Sequence, residues 1–483
     1  MTLSLFLGLL LPMLLALILF PTLPLGGWLI EAVTMAIRRP LVRLKKEATG
    51  TAVIGSPAGD LNFTSFTPIL KELYTPQRIE DLVLGDNRLM RWLTKDKNFS
   101  GKKMPIPIHY GSPQGRSHTW ATGKANITTS KYTDFYLTAI QDFGFVEIDH
   151  FTLKAARNDI GSFLRAKEPE IDNMLKTMGR NASIELYGIG SGSRGQLAIV
   201  GTLATTKLTF VNPRSILNFE QGMVLQFASD NPALGTVGAG VRAGSPGFVQ
   251  ITAIDYDAGT CTIDQNLSGA IAAVAAADFV YVDGDYQLAA AGLPAWFPSV
   301  TPTAGDNMFG VDRSVNPTRL AGIRYNAAAN GDSPLEGIVR LLSKMAVYNK
   351  NTGTGLPDAV FCDPTQWTAA ELELGPKTVY YDPDDEAVAS VGFSAIRINY
   401  EGGSVPLFSD IDCATTDVFA LNSKSLKLWS MGEFPAIFDD DGNTSLRSTT
   451  ANALDVQAYA YWQLGCDAPV ANGHSSVTAA PSF

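Results

Sequence analysis

Reactive side chains are scarce in these 483 residues. The four cysteines, Cys261, Cys362, Cys413 and Cys466, lie far apart with no CxxC among them, which argues against a zinc site or redox pair and reads as buried reduced thiols. The four histidines, His109, His118, His150 and His474, stand at no metal-ligand spacing from one another, and no HExxH occurs. A GxxxxGKS or GxxxxGKT phosphate loop is missing too, and no Ser/His/Asp set is suggested by proximity. Metal, phosphate-loop and nucleophilic chemistry therefore lack their usual residues, no cofactor is expected, and the chain reads as a non-enzyme. A net charge of −10 implies no general affinity for nucleic acid.

Charge is absent altogether from residues 1–30, which are rich in leucine. By length this is a transmembrane candidate. Pro12, Pro21 and Pro24 interrupt it, however, and no basic region precedes it as a secretory signal requires. Met35-Ala36-Ile37-Arg38-Arg39 reads as an ordinary soluble start, so residues 1–34 are taken as no part of the working protein, with a real membrane anchor as the alternative. Residues 35–100 then read as a small, polar arm followed by short helices at 66–74 and 76–85, with Leu89, Met90, Trp92 and Leu93 suited to burial.

What is present is organised around a helical stretch, 151–188. Ile171, Met174, Leu175, Met178, Ala182 and Leu186 recur at steps of mostly three and four and share one face. Pro169 suits a first turn, and residues 169–187 would span about 28 Å at 1.5 Å per residue. The glycines at 188, 190, 192 and 195 end the helix and read as a flexible stop.

Before this helix, residues 101–149 read as a long β-excursion. The segment 103–110 alternates as a strand, yet Pro105 and Pro107 bar it from a sheet interior. Pro113 and Gly115 suit a turn, and the chain returns through 135–148. An isolated two-stranded ribbon is marginal in water, so something outside its own domain is expected to hold it. Pro105, Pro107, Tyr110, Trp120 and Lys124 are the expected contacts to a neighbouring subunit.

After the helix, residues 198–288 carry little charge. Short strands at 207–211, 222–227, 248–254, 260–263 and 279–282 are separated by turn signals such as Asp257-Ala258-Gly259. This pattern predicts a small β-barrel or sandwich inserted in the parent fold. Further on, Ser333-Pro334-Leu335-Glu336 is a capping box with proline at the first helical position, and its helix should bury Leu335, Ile338, Val339, Leu342, Met345 and Ala346. Asp363-Pro364 starts a second helix, and strands follow near 395–398, 405–408, 418–421 and 426–431. Residues 453–462 form a last amphipathic strand or helix, and 469–483 read as a disordered tail.

Some motifs match only by their letters. Gly190-x-Gly192-x-x-Gly195 follows a helix instead of a strand, so the dinucleotide fingerprint has no geometry to use. Asp439-Asp440-Asp441-Gly442-Asn443 lacks the sixth-position glycine of a calcium loop, where Thr444 stands. The acidic run Tyr381 to Glu386 reads as solvated charge, with weak cation binding between subunits as the other reading. Arg313 and Arg319 are expected to pair with carboxylates.

Gly284-Asp285-Tyr286, Gly292-Leu293-Pro294-Ala295-Trp296-Phe297-Pro298, the run Asp306 to Ser314 and Thr318-Arg319-Leu320-Ala321-Gly322 together resemble the middle of tailed-bacteriophage major capsid proteins of the Hong Kong 97 type. The order of parts agrees over roughly residues 50–470. The resemblance implies an α+β fold: N-terminal arm (35–100), extended hairpin loop (101–149), spine helix with peripheral sheet (150–197), an axial α/β domain (289–410) and a return to the peripheral sheet (411–468). The β domain at 198–288 departs from the minimal fold. Implied with the fold is a virion shell protein, assembled in the host cytoplasm as pentamers and hexamers of itself around double-stranded DNA. DNA would be touched only non-specifically, no membrane would be present in the mature particle, and scaffolding or portal proteins would be further partners. An encapsulin-like compartment and a membrane-anchored β-rich secreted protein are the alternatives.

Overall fold

The computed structural model describes residues 88–150, 167–198, 205–271, 273–352, 355–374, 396–432, 434–438, 446–448 and 451–478. The segments 1–87 and 151–166 lie outside these residues, as do the runs at 381–386 and 439–443.

The apolar stripe does build a helix, Lys167–Leu186, referred to below as the spine. Met174, Met178, Ala182 and Leu186 are buried, and Ile171 and Leu175 pack beside them. This face lies on a sheet whose centre is the 14-residue strand Ala453–Cys466. Ile140–Asp149 pairs along one of its edges, and Leu426–Ser430, Ala436–Ile437 and Leu446–Arg447 share the other. Thr94–Asp96 extends the sheet as a parallel neighbour of Leu426–Ser430. Leu89 and Leu93 are buried in the same core.

A second sheet has the order Ile323–Asn326, Gly473–Ser476, Asp417–Leu421, Ala359–Cys362, Gly403–Ser409, Ile396–Tyr400. Its alternating side chains serve two cores, as strand geometry dictates. Ala359, Phe361, Phe419 and Leu421 join the spine core, while Val360, Cys362, Val418 and Ala420 meet Ile338, Leu341, Leu342 and Met345 of the helix Pro334–Thr352. The capping signals act as expected: Ser333 Oγ accepts the Glu336 N–H at 3.4 Å, and Asp363 Oδ2 accepts the Thr365 N–H at 2.8 Å at the start of Pro364–Leu374.

Two expectations need correction here. The tail read as disordered includes Gly473–Ser476, the second strand of this sheet. Its small residues allow close packing: a Cβ on Gly473 would stand 2.6 Å from Met345 Sδ. The fully buried Asn472 holds the corner, accepting the Asn422 N–H at 2.8 Å and donating to Ser425 Oγ at 2.8 Å. Likewise, Asp417–Leu421 belongs to this sheet, so the return to the spine sheet begins at Leu426.

A third six-stranded sheet runs Ser193–Gln196, Phe279–Val282, Val224–Ala228, Val249–Asp255, Thr260–Ile263, Lys207–Thr209, antiparallel throughout. Its two end strands also meet. Leu197 bridges Phe210, Ala198 N–H donates to Thr209 O at 2.9 Å, and Val211 N–H donates to Gln196 O at 2.8 Å. The sheet therefore closes into a six-stranded barrel around Leu208, Phe210, Leu225, Phe227, Val249 and Val280. Its first strand falls before residue 198, in the glycine-rich stretch read as a flexible stop. Positive φ at Gly190 (90°) and Gly192 (84°) turns the chain out of the helix and into that strand.

Candidate interaction site

Met104–Gly111 and Lys131–Leu137 form a two-stranded ribbon with no third strand among the described residues. Cross-strand partners share a face. Ile106 opposite Phe135 and Met104 opposite Leu137 face inward; Pro105 opposite Tyr136, Pro107 opposite Asp134 and His109 opposite Tyr132 face outward. The inward face is buried in the subunit's own core, with Phe135 5.3 Å from the Trp296 ring. Tyr136 N–H donates to Phe309 O at 3.1 Å, and Asn316 Nδ2 donates to Tyr110 O at 3.0 Å. The expectation that only an outside partner holds the ribbon is thus corrected for its base. Ile106, Ile108, Phe135 and Leu137 supply enough apolar surface to anchor it within the subunit.

The tip is different. Residues 111–131 order themselves by polar contacts: Gln114 N–H donates to Thr128 Oγ1 at 2.6 Å, Thr128 N–H donates to Gln114 O at 3.0 Å, and Thr119 Oγ1 donates to Thr122 Oγ1 at 2.7 Å. The short helix Trp120–Ala125 sits there with none of its residues buried. Trp120 is 79% exposed, Ile127 67% and Tyr132 65%. Three large apolar side chains left this bare within 13 residues make the tip a candidate contact region.

Of the five expected contact residues, Pro105, Pro107, Trp120 and Lys124 are exposed, and Tyr110 is half-buried on the subunit's own core. Lys124 Nζ lies 4.9 Å from the centre of the Trp120 ring, so the two form one cation–π unit. Sequence reasoning missed Ile127 and Tyr132. It also passed over a signal that was there to read: residues 97–133 hold Lys97, Lys102, Lys103, Arg116, Lys124 and Lys131 and no acidic residue. In a chain of net charge −10, that run makes the approach to the hairpin and its tip net basic, although Asp134 lies in the returning strand.

The other candidates have structural roles. Arg313 is buried, pairs with Asp306 at 2.8 Å and donates to Ala295 O at 2.5 Å, holding the segment under the hairpin base. Arg319 meets no carboxylate among the described residues. His474 is buried, stacked 4.6 Å from Phe419 and 3.3 Å from Asp417. All four cysteines are free and buried; burial pushes the Cys261 thiol up to about 12 and Cys362 higher still. Among the described residues no cluster of three His, Cys, Asp or Glu side chains is arranged to hold a metal ion, and no helix is long and apolar enough to cross a membrane.

No family model and no curated protein matches the chain. Solved structures do resemble it. The capsid asymmetric unit of cyanophage A-1(L) aligns with a TM-score of 0.48 at 11% identity, covering 86% of this chain and 100% of that one. The capsid of the Myoviridae phage XM1 aligns at 0.41 and 10%, covering 84% and 95%. An encapsulin complex from Synechococcus elongatus aligns at 0.39 and 8%, covering 88% and 98%.

Proposed function

We propose that this chain is a shell subunit: the major capsid protein of a tailed bacteriophage, assembling in many copies into a closed icosahedral particle around double-stranded DNA. The observation that carries this reading is the hairpin, a basic arm anchored at its base and bare at its tip, with Trp120 79% exposed. A monomer gains nothing from holding such a tip out in water, whereas a repeating neighbour covers it. Pro105 and Pro107 lack the N–H groups that further strand pairing at the open edge of Met104–Gly111 would use, and Trp120, Lys124, Ile127 and Tyr132 form the contact. Tyr110, packed on the core at the anchored part of the arm, borders that contact. The sequence resemblance supplies the rest of the proposal: the domain at 289–410 near the five- and sixfold axes, the barrel as a decoration, scaffolding or portal proteins as partners, and a virion location after assembly in the host cytoplasm.

Electron microscopy of the purified protein tests it. Closed particles of uniform size are expected, and a monodisperse monomer at high concentration overturns the reading. DNA inside particles from infected cells separates a phage capsid from an encapsulin-like compartment.

A further inference from the structure

The barrel leaves the spine and returns to it at one place. Ile189 and Ala291 form a bridge, and Gly292 N–H donates to Gly188 O at 3.0 Å. Beside them stands Glu185, in the last turn of the helix, whose Oε2 accepts the Ala290 N–H at 3.0 Å. The next amide, Ala291 N–H, donates to Gln463 Oε1 of the long strand at 3.0 Å. Three successive residues of the returning strand are therefore held by different groups.

Charged side chains from four elements converge on this seam: Asp142 from Ile140–Asp149, Glu185 from the spine, Arg194 from the first barrel strand and Asp285 from the turn after the last. Arg194 lies 3.5 Å from Asp285 and donates to Asn181 Oδ1 at 3.1 Å. A small cavity is lined by Glu185, Ser193, Arg194, Asp285, Ala289 and Ala290. The backbone crosses very close here: a Cβ on Gly192 would lie 2.4 Å from Asp285 O. Farther along the spine, Asp412 takes a hydrogen bond from Ser183 and feels Asp410, Arg180 and Arg194. One guanidinium thus serves four carboxyls, and desolvation is the largest cause raising each of them: Asp142, Asp285 and Asp412 above their ordinary value, and Glu185 up to about 8.

We propose that Glu185 is a proton-dependent latch: with its carboxyl neutral, the returning segment 290–292 stays closed on the spine, and ionisation loosens that seam. In an opened seam the carboxyl meets water and regains its ordinary value of 4.5. Opening therefore releases a proton at any pH between 4.5 and about 8. The advantage of the closed form is complete below that window and is lost as pH rises through it. Opening grows by about tenfold per pH unit inside the window and levels off above it.

The test is the pH dependence of amide protection factors, corrected for intrinsic exchange, at Ala290 and Gly292 of the full chain. Protection is expected to fall by about tenfold per unit from pH 6 and to flatten near 8. Glu185→Gln keeps an acceptor for Ala290 N–H but cannot ionise, so its profile should be flat. Asp142→Asn removes a like charge and moves the flattening to lower pH, whereas Arg194→Gln moves it higher. The Ile251 amide, inside the barrel, should hold one protection level throughout. A flat wild-type profile, or a Glu185→Gln profile that tracks wild type, overturns the latch. If Glu185→Gln does not fold, the opposed shifts of the other two variants decide, and coincident flattening points sink the proposal. Loss of Ile251 protection in step with Ala290 also overturns it, because the barrel itself would then be unfolding and the opening would not be local to the seam.

Discussion

The barrel of residues 193–282 and the hairpin of residues 104–137 are both β-structure that leaves the spine core, and they meet opposite ends. The barrel closes on itself, so it has no open edge and encloses an apolar interior, with Phe210 stacked 4.8 Å from Phe219 and Phe227 fully buried. Two strands cannot enclose anything. The hairpin borrows the spine core for Phe135 and Leu137 at its base and leaves Trp120, Ile127 and Tyr132 bare at its tip. Closure makes a β-excursion self-sufficient, and lack of closure makes it dependent. The surface most in need of a partner is therefore placed by topology more than by composition.

The sharpest test pairs two large-to-small changes. Trp296→Ala and Phe227→Ala each empty a fully buried site and should each cost about 3–5 kcal/mol. Trp296 packs against Phe135 and Phe309 and donates from Nε1 to Leu464 O at 3.0 Å, so its loss should lower protection in the spine, the long strand and the hairpin base together. Phe227→Ala should lower protection only within 193–282. Equal losses in the spine amides would mean that the two cores unfold as one unit, and the contrast would fail.

Next in size is the polar link between the barrel and the second sheet. Arg214 pairs with the fully buried Asp363. Arg214→Met leaves that carboxylate without a counter-ion and should cost about 3 kcal/mol, read from denaturant unfolding. Adding Asp363→Asn should recover most of the loss; no recovery would show that the pair is not the cause.

Trp120→Ala probes the dependent excursion. The free chain should change by about 0.5 kcal/mol, the size of the exposed ring contact with Lys124. On the proposal that the chain assembles into a shell, that shell should lose about 2 kcal/mol per contact, measured as an earlier thermal dissociation. A shell of unchanged stability would remove the tip from the interface, whereas an unfolded monomer would place Trp120 in the subunit's own core. The smallest effect belongs to Lys124→Ala, which removes an exposed cation–π contact of about 0.5 kcal/mol. It should shift Trp120 fluorescence in the free chain and lower its melting temperature by less than about 2 °C.

Much of the local structure was legible in the residues. The spacing from Ile171 to Leu186 specifies one buried helical face, because 3.6 residues per turn is a property of the backbone. Ser333 and Asp363 mark helix starts because their side-chain oxygens satisfy N–H groups that the helix leaves open. Pro105 and Pro107 predict a strand with no ladder on one edge, since neither carries an N–H, and the ribbon is two-stranded. The barrel strands from 207 onward follow from alternation and turn chemistry. Each of these rests on physics reaching only a few residues along the chain.

Tertiary structure alone decided which distant pieces meet. Nothing local distinguishes Asp417–Leu421 from Leu426–Ser430, yet they lie in different sheets, because their partners come from 359–362 in one case and 453–466 in the other. Gly473–Ser476 has the composition of a loose tail and becomes a buried strand only because a helix and two neighbouring strands close around its small side chains. Glu185 reads as one more polar residue on a helix. Its character comes from desolvation and from Asp142, Arg194 and Asp285 beside it, and the amide it holds is 105 residues away. Sequence determined the faces and the ends of the elements through short-range sterics and hydrogen bonding; their partners, and the state of a carboxyl buried among them, depend on long-range packing that exists only once the chain has folded.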